Sequence, residues 1–122
     1  MNKPRRILVC GGRDYIDKAT VDYTLNEARK HWFAEDFCII EGGATGADRL
    51  ARSWANHNAI CVITICANWD VHGNRAGSIR NGWMLQYGKP DCVLVFPGGK
   101  GTRDMHSQAR HIPGLFVYEV EP

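Results

Sequence analysis

Short apolar runs alternate along the chain with longer amphipathic segments. The apolar runs are nearly continuous, which is typical of strands buried on both faces of a parallel sheet. They predict five strands, at residues 6–10, 37–41, 60–66, 92–96 and 115–118.

The segments between these strands carry apolar residues at helical spacing, and they predict four helices. The first follows Asp17, whose side chain can cap it, and the third ends at Gly88-Lys89-Pro90. The fourth begins at Thr102 and ends before Pro113-Gly114. The apolar stripes are, in order, Val21, Leu25, Ala28 and Trp32; Ala47, Leu50, Ala51, Trp54 and Ala55; Ile79, Trp83, Met84 and Tyr87; and Met105 with Ala109. Residues 67–76 lack such a pattern and are predicted to form a long loop.

Strands that alternate with helices predict an α/β fold, a Rossmann-like three-layer sandwich around a five-stranded, mostly parallel sheet. The 122 residues are the usual size of one domain and contain no linker, repeat array or low-complexity segment. We therefore expect residues 1–122 to form a single domain, whose core needs neither disulfides nor a metal.

Charge and cysteine content narrow the function classes. A net charge of +2 is too small to indicate a nucleic-acid-binding or membrane-binding surface. No apolar run approaches the ~20 residues of a membrane span, and we recognise no signal peptide. None of the five cysteines forms a Cys-x-x-Cys pair, and Cys10, Cys38, Cys61 and Cys92 lie in or beside apolar runs. Reduced, buried thiols in a cytoplasmic protein are expected.

Three of the predicted strands run into glycine-rich turns. Because parallel strands share a carboxyl edge, all three turns are expected there, where open α/β sheets bind ligands. Glycine lets the backbone approach a ligand closely, and the last two turns lead into helix N-termini, which favour an anion. The turns predict a phosphate or carboxylate site, and tight βα turns without a ligand are the alternative. They are Cys10-Gly11-Gly12-Arg13-Asp14-Tyr15, Glu41-Gly42-Gly43-Ala44-Thr45-Gly46-Ala47-Asp48 and Phe96-Pro97-Gly98-Gly99-Lys100-Gly101-Thr102.

Other signatures of nucleotide or metal chemistry are absent from the sequence. It contains neither the Gly-x-x-x-x-Gly-Lys-Ser/Thr motif of P-loop proteins nor the Gly-x-Gly-x-x-Gly fingerprint of dinucleotide-binding folds. The five histidines are dispersed, no His, Cys and Asp spacing indicates a metal site, and no Gly-x-Ser-x-Gly elbow occurs. We expect no metal and no cofactor.

Basic side chains near the turns are candidates for anion recognition. Arg13 can form a forked pair with a phosphate, and Arg80 with Asn81, near a helix start, suits a phosphate or carboxylate. The alternative for Arg13 is a surface ion pair with Asp14, which would contribute little stability.

Three carboxylates and one tryptophan are further candidates. Asp14 and Asp48 can accept a hydrogen bond from a hydroxyl group, and Asp48 or a buried Glu41 can exchange protons. The alternatives are a helix-dipole partner for Asp48 and a cap for Glu41. Trp69 can stack on a base or plug the sheet edge.

Together these motifs resemble the YspA/YpsA-related branch of the SLOG superfamily, within the larger group of SMF/DprA and LOG proteins. The resemblance covers nearly the whole chain. It implies a Rossmann-like sheet that binds a nucleotide or a nucleotide derivative, in some members as a sensor or effector module in bacterial and phage conflict systems. The matching segments are residues 7–15, 41–48, 68–69 with Gly73, 76–81, 84–85, 90–91 and 96–102.

The resemblance also implies residue roles. In LOG enzymes the third turn reads Pro-Gly-Gly-x-Gly-Thr-x-x-Glu, and its glutamate acts on the ribose during N-glycosidic cleavage. Here that position is Met105, while Asp104 comes one residue earlier and points ~100° away on a helix. Arg80 falls where LOG enzymes keep an arginine ahead of a methionine, here Met84. The turn residues expected to line the phosphate and ribose end are Gly11, Gly12, Gly42, Gly43, Gly46, Gly98, Gly99, Gly101 and Thr102, with Thr45 added from the second turn.

These observations favour a nucleotide-binding sensor or effector module, because the catalytic glutamate has no counterpart. The alternative is a LOG-like phosphoribohydrolase acting on nucleoside 5′-monophosphates, or cleavage of a phosphate ester, with Asp14, Glu41, Asp48 or Asp104 as acid or base. A DprA-like contact with single-stranded DNA is disfavoured by the small net charge. The partner expected is a small molecule, and the Trp and Tyr residues are compatible with a homo-oligomer.

Overall fold

The computed structural model describes residues 5–31 and 36–122, in which five strands and five helices are found. The strands are β1 (Arg5–Cys10), β2 (Phe37–Glu41), β3 (Cys61–Thr64), β4 (Cys92–Val95) and β5 (Phe116–Glu119). The helices are α1 (Lys18–His31), α2 (Ala47–His57), α3 (Trp69–His72), α4 (Ala76–Gly88) and α5 (Lys100–Arg110), with a 3₁₀ turn at Gly73–Arg75 between α3 and α4.

The five strands form one parallel sheet in the order β3-β2-β1-β4-β5. The chain moves outward from β1 to β3 and then crosses back to place β4 on the other side of β1. Ile7 of β1 is therefore opposite Ile39 of β2 and Cys92 of β4. The predicted parallel α/β fold is confirmed, and the carboxyl ends of β1 and β4 form its topological switch point.

Helices cover both faces of the sheet, because alternate residues of each strand point to opposite sides. Ile7 and Val9 belong to the core shared with α1 and α2, while Leu8 and Cys10 belong to the core shared with α4 and α5. This arrangement gives the three expected layers. Within the described ranges no helix is long and apolar enough to cross a membrane.

Several predicted boundaries differ from the structure. The strand predicted at 60–66 is shorter, Cys61–Thr64, because β3 is an edge strand that pairs with β2 alone. The strand predicted at 115–118 is shifted by one residue, to Phe116–Glu119. Helix α5 begins at Lys100 rather than at Thr102. Asp17 caps α1 as predicted, since its Oδ1 accepts from the amide of Thr20 at 3.0 Å.

The prediction of a long loop at 67–76 is wrong. This segment contains α3 and the 3₁₀ turn, and α4 begins at Ala76. The side chain of Asn68 caps α3 by accepting from the amide of Val71 at 3.2 Å. An Asn that can cap a helix was therefore the local signal for this short element.

Two predictions of burial are also wrong. Tyr87 is 64% exposed, because the buried face of α4 runs through Asn81, Met84, Leu85 and Gly88. The thiol of Cys61 is exposed on the edge strand, whereas those of Cys10, Cys38 and Cys92 are buried as expected. Trp32, assigned to the stripe of the first helix, lies outside the described residues.

Candidate functional site

A cavity of about 770 Å³ opens at the topological switch point, where β1 and β4 end. Its wall includes the first and third glycine-rich turns, the start of α5 and one face of α4. A second cavity of about 270 Å³ adjoins it against the second glycine-rich turn. The two cavities share Arg13, Ala44, Trp69 and Arg80.

Most of the residues predicted for the site line one of these cavities. The larger cavity is lined by Gly11, Gly12, Arg13, Asp14, Asp48, Trp69, Arg80, Asn81, Gly98, Gly99, Gly101, Thr102 and Asp104. The smaller cavity is lined by Gly42, Gly43 and Thr45 together with Arg13, Trp69 and Arg80. Gly46 lines neither cavity.

Several of the glycines allow the turns to pack against one another. The amide of Gly12 donates to the carbonyl of Pro97 at 2.9 Å, and the carbonyl of Gly12 accepts from the amide of Ala47 at 3.1 Å. A Cβ atom on Gly11 would lie 2.6 Å from the Cβ of Ala47, and one on Gly98 would lie 2.6 Å from the amide nitrogen of Gly12. Close packing of the turns therefore explains these glycines without a ligand.

Gly99 and Gly101 differ from the other glycines of the three turns, because a Cβ atom at either position would meet no described residue within 4 Å. Both residues line the larger cavity. Gly99 is the N-cap of α5, no side chain caps that helix, and its first turn contains no acidic residue. The start of α5 therefore presents helix amides and the positive end of the helix dipole to the cavity.

The start of α2, by contrast, packs against the first glycine-rich turn and carries an acidic residue. The amide of Ala47 donates to Gly12, and Asp48 lies in the first turn. Oδ2 of Asp48 accepts from the amides of Gly42 at 3.0 Å and Ala44 at 3.3 Å. Of the two helix starts considered as anion sites, only that of α5 is open to the cavity.

The carboxylate of Asp48 is buried in the wall of the larger cavity, with 6% of the residue exposed. Burial raises its pKa to about 6, and the charge of Glu41 acts in the same direction. The amides of Ala44 and Gly42 and the charge of Arg80 oppose this shift. An acid with such a pKa can exchange a proton near neutral pH.

Glu41 is fully buried at the end of β2 and is held by protein groups. Its Oε1 accepts from Arg52 at 2.8 Å and from the amide of Gly43 at 2.8 Å. The hydroxyl of Thr64 donates to Oε2. These contacts support the capping alternative, and Glu41 does not line either cavity.

Arg80 lies in the second turn of α4, rather than at the helix start expected from the sequence. Its Nη1 donates to the carbonyl of Gly42 at 2.7 Å, and its Nε donates to Oδ1 of Asn81 at 3.0 Å. A Cβ atom on Gly42 would lie 2.3 Å from Nη1, so this glycine makes room for the guanidinium. Arg80 thus forms part of the boundary between the two cavities.

Asp104 joins α4 to α5. Its Oδ1 accepts from Ser78 at 3.2 Å, while its Oδ2 accepts from Asn81 at 3.0 Å and Gln108 at 2.8 Å. The neighbouring Met105 is fully buried in the core between α5 and the sheet. The residue at the position of the LOG glutamate therefore faces the core rather than the cavity.

Arg13 and Trp69 form a pair at the mouth of both cavities. The Cζ of Arg13 lies 5.2 Å from the centroid of the Trp69 ring, which is a cation–π contact. Trp69 opens α3 and is 49% exposed, so part of its ring remains accessible. Within residues 5–31 and 36–122, Arg13 forms no salt bridge with Asp14 or with another carboxylate.

Some residues of the larger cavity were missed by sequence reasoning. Tyr15 packs on Phe96 with ring centroids 5.6 Å apart, and Cys10 is a buried thiol whose pKa is raised by burial. Asn74 reaches the cavity from the 3₁₀ turn in the segment predicted as a loop, and Gly77 and Ser78 reach it from the first turn of α4. Gly77 and Ser78 belong to a motif that the sequence had already singled out. In the part of the chain that is described, no cluster of three or more His, Cys, Asp or Glu side chains could hold a metal ion.

Comparison with known proteins gives two matches. Residues 5–72 match the family described as the YspA, cpYpsA-related SLOG family. The chain is also 34% identical over 114 residues to the Gene 61 protein of Mycobacterium phage D29, an alignment that covers 87% of this chain and 89% of the phage protein. The matched family segment contains the first two glycine-rich turns, and the phage protein extends the similarity over most of the chain. The protein therefore belongs to the YspA, cpYpsA-related SLOG family.

Proposed function

We propose that the larger cavity binds a nucleotide or a nucleotide-derived ligand, and that the chain acts as a single sensor or effector domain. A phosphate group of the ligand is placed at the start of α5, against the turn of Gly98, Gly99 and Gly101. Family membership supports a nucleotide-related role, and the position at the switch point is the usual one for ligands of such sheets.

The observation that carries the proposal is the difference between the glycines. Close packing explains Gly11 and Gly98, but no contact with the described residues accounts for glycine at positions 99 and 101. A bound anion would explain it, because phosphate oxygens must come within hydrogen-bonding distance of the amides. The volume of about 770 Å³ also falls within the usual range for small-molecule sites.

The other groups of the cavity fit the remainder of a nucleotide. Asp14 and Asp48 are placed to accept hydrogen bonds from ribose hydroxyls, and the half-exposed ring of Trp69 is available to stack on a base. Lys100, at the start of α5, adds positive charge beside the phosphate position.

Titration calorimetry tests the proposal. Each of the common nucleosides is compared with its 5′-monophosphate, using the full chain at low and at physiological salt. The phosphate should raise affinity by about tenfold or more, since hydrogen bonds to a charged group are each worth ~1.5–3 kcal/mol. Failure of every nucleotide to bind would overturn the proposal, and so would equal affinity for nucleoside and nucleotide.

Asp48 favours a second candidate, LOG-like cleavage of the N-glycosidic bond of a nucleoside 5′-monophosphate. A buried carboxylate with a pKa of about 6 in the cavity wall suits a general base. Asp48 would take a proton from a water molecule as the water oxygen bonds to the ribose C1′. The N-glycosidic bond breaks in the same step, and the base leaves with its electrons. Asp104 is less suited to this role, because protein donors occupy both of its oxygens.

Product analysis separates the two candidates. Nucleoside 5′-monophosphates are incubated with the protein, and free base with ribose 5-phosphate is sought by chromatography. If cleavage occurs, Asp48→Asn should abolish it, while wild-type protein that binds nucleotide and releases no base is a binding module.

A further inference from the structure

We propose that the ligand carries a second phosphate group, which binds in the smaller cavity between Arg13 and Arg80. This inference rests on the proposed function, because it assumes that the first phosphate is bound at the start of α5. It narrows the ligand to nucleotides with at least two phosphates, rather than nucleoside monophosphates.

The smaller cavity is the positively charged end of the site. Its lining includes the side chains of Arg13 and Arg80, and no carboxylate-bearing residue is among its lining residues. The larger cavity, by contrast, is of mixed charge, because the carboxylates of Asp14, Asp48 and Asp104 line it together with Arg13, Arg80 and Lys100. An anionic group is therefore attracted to the smaller cavity, and the carboxylates favour neutral hydroxyl groups elsewhere.

Neither guanidinium group has a carboxylate within salt-bridge distance among the described residues, although the charge of Arg80 acts on Asp48. Arg13 contacts the ring of Trp69, and Arg80 donates to the neutral oxygens of Gly42 and Asn81. Neither forms a salt bridge within residues 5–31 and 36–122. Guanidinium groups bind phosphate through charge-assisted hydrogen bonds, and two of them line this one small cavity.

Three backbone amides of the second turn are already bonded within the protein, unlike those at the start of α5. The amides of Gly42 and Ala44 donate to Asp48, and the amide of Gly43 donates to Glu41. Side chains therefore provide the donors of the smaller cavity. At about 270 Å³ this cavity lies just below the range typical of whole small-molecule ligands, which suits one group of a larger ligand.

The position of the cavity sets how the ligand must extend. Arg13, Ala44, Trp69 and Arg80 line both cavities, so the two spaces adjoin. A ligand anchored at α5 can pass from one cavity to the other beside the Arg13–Trp69 pair. The start of α5 lines only the larger cavity, so a phosphate in the smaller cavity lies beside the guanidinium groups and away from the helix amides.

A thermodynamic cycle tests the inference. The affinities of a 5′-monophosphate, the 5′-diphosphate and the 3′,5′-bisphosphate of one base are measured by calorimetry for the wild type and for Arg13→Gln. In the wild type, one of the two-phosphate ligands should bind about tenfold more tightly than the monophosphate. Arg13→Gln should weaken the two-phosphate ligand more than the monophosphate, so that most of this gain is lost.

Arg110→Gln is the matched control, because it removes the same charge at the far end of α5. It should leave all affinities unchanged, and circular dichroism should show that both variants are folded. If monophosphate and two-phosphate ligands bind equally, the inference fails and the proposed function stands. The inference also fails if Arg13→Gln weakens every ligand by the same factor, or if both variants act alike. If no nucleotide binds, the proposed function fails, and this inference fails because it depends on that function.

Discussion

The carbonyl oxygen of Gly12 accepts a hydrogen bond from the amide of Ala47 at 3.1 Å, which ties the first glycine-rich turn to the start of α2. The residue before Ala47 is Gly46, whose φ is +72°. A Cβ atom at Gly46 would lie only 2.0 Å from this same carbonyl oxygen. The contact between the two turns thus requires a glycine at this position for both space and backbone conformation.

Gly46→Ala should therefore be strongly destabilising. Left-handed backbone strain and the clash with Gly12 together are expected to cost about 3 kcal/mol or more in the free energy of unfolding. Gly114→Ala is the control, because Gly114 has a φ of +78° but nothing within 4 Å of its Cβ position. That variant should lose only about 1–2 kcal/mol, the cost of the conformation alone. Urea unfolding measures both, and equal losses would show that the contact between the turns is unimportant.

Gly99→Ala should affect binding without affecting the fold. The added methyl group meets no protein atom within 4 Å, and the φ of −101° at Gly99 is open to any residue. The free energy of unfolding should change by less than about 0.5 kcal/mol, as for an ordinary surface substitution. Affinity for a nucleotide should fall by about tenfold or more, because the methyl group keeps phosphate oxygens from the amides.

Gly82→Ala provides a comparison for this variant. Gly82 lies in α4 and does not line either cavity, and a Cβ there would make an ordinary contact of 3.4 Å with Gln108. The Gly82→Ala variant should bind nucleotide with the same affinity as the wild type. Unaltered affinity in Gly99→Ala as well would argue that no ligand approaches this turn.

The sequence predicted the fold well, because the apolar runs of a buried parallel sheet are hard to mistake. The runs at β1, β2 and β4 coincide with the central strands to within a residue at each end. The edge strand β3 was overestimated, since apolar character continues to Cys66 but pairing with β2 ends at Thr64. Pairing at an edge depends on the length of the neighbouring strand, which the local sequence does not contain.

The sequence predicted that the candidate residues lie at the carboxyl edge, where the structure has them, but it did not reveal the partners of their side chains. Topology alone brought Arg13, Asp48 and Arg80 to one place. Sequence spacing did not reveal that α2 starts against Gly12, so both helix starts were treated as equivalent anion sites. Nor did it reveal that Asp104 is held between two helices, because that depends on how α4 packs on α5.

Asp104→Ala should lower stability, because Asp104 accepts hydrogen bonds from three side chains that join α4 and α5. Removing it leaves Asn81 and Gln108 without this acceptor, and the expected loss is about 1–3 kcal/mol in the free energy of unfolding. Ser78→Ala is a graded control, since it removes only the bond at 3.2 Å to Oδ1 and a longer one at 3.4 Å from Gln108, and it should cost less than about 1 kcal/mol. Thermal and urea unfolding provide the comparison, and wild-type stability in Asp104→Ala would contradict a structural role.

Asp48 should make stability depend on pH. The pKa of about 6 in the folded protein lies above the ordinary value of 3.8, so the folded state binds this proton more tightly than the unfolded chain. Protonation of Asp48 therefore stabilises the fold. That contribution is fully present below about pH 4 and is lost as pH rises to about 6.

Comparison with Asp48→Asn isolates this effect from other titrating groups, because Asn retains an oxygen that can accept from the amides of Gly42 and Ala44. Between pH 4 and pH 6.5 the wild type should lose about 2–3 kcal/mol of unfolding free energy relative to the variant, and above that range the difference should be constant. Urea unfolding across this pH range, without nucleotide, gives the two curves. Curves that stay parallel throughout would mean that the Asp48 carboxylate ionises as easily in the folded protein as in water. Asp48 would then not be suited to act as a general base near neutral pH.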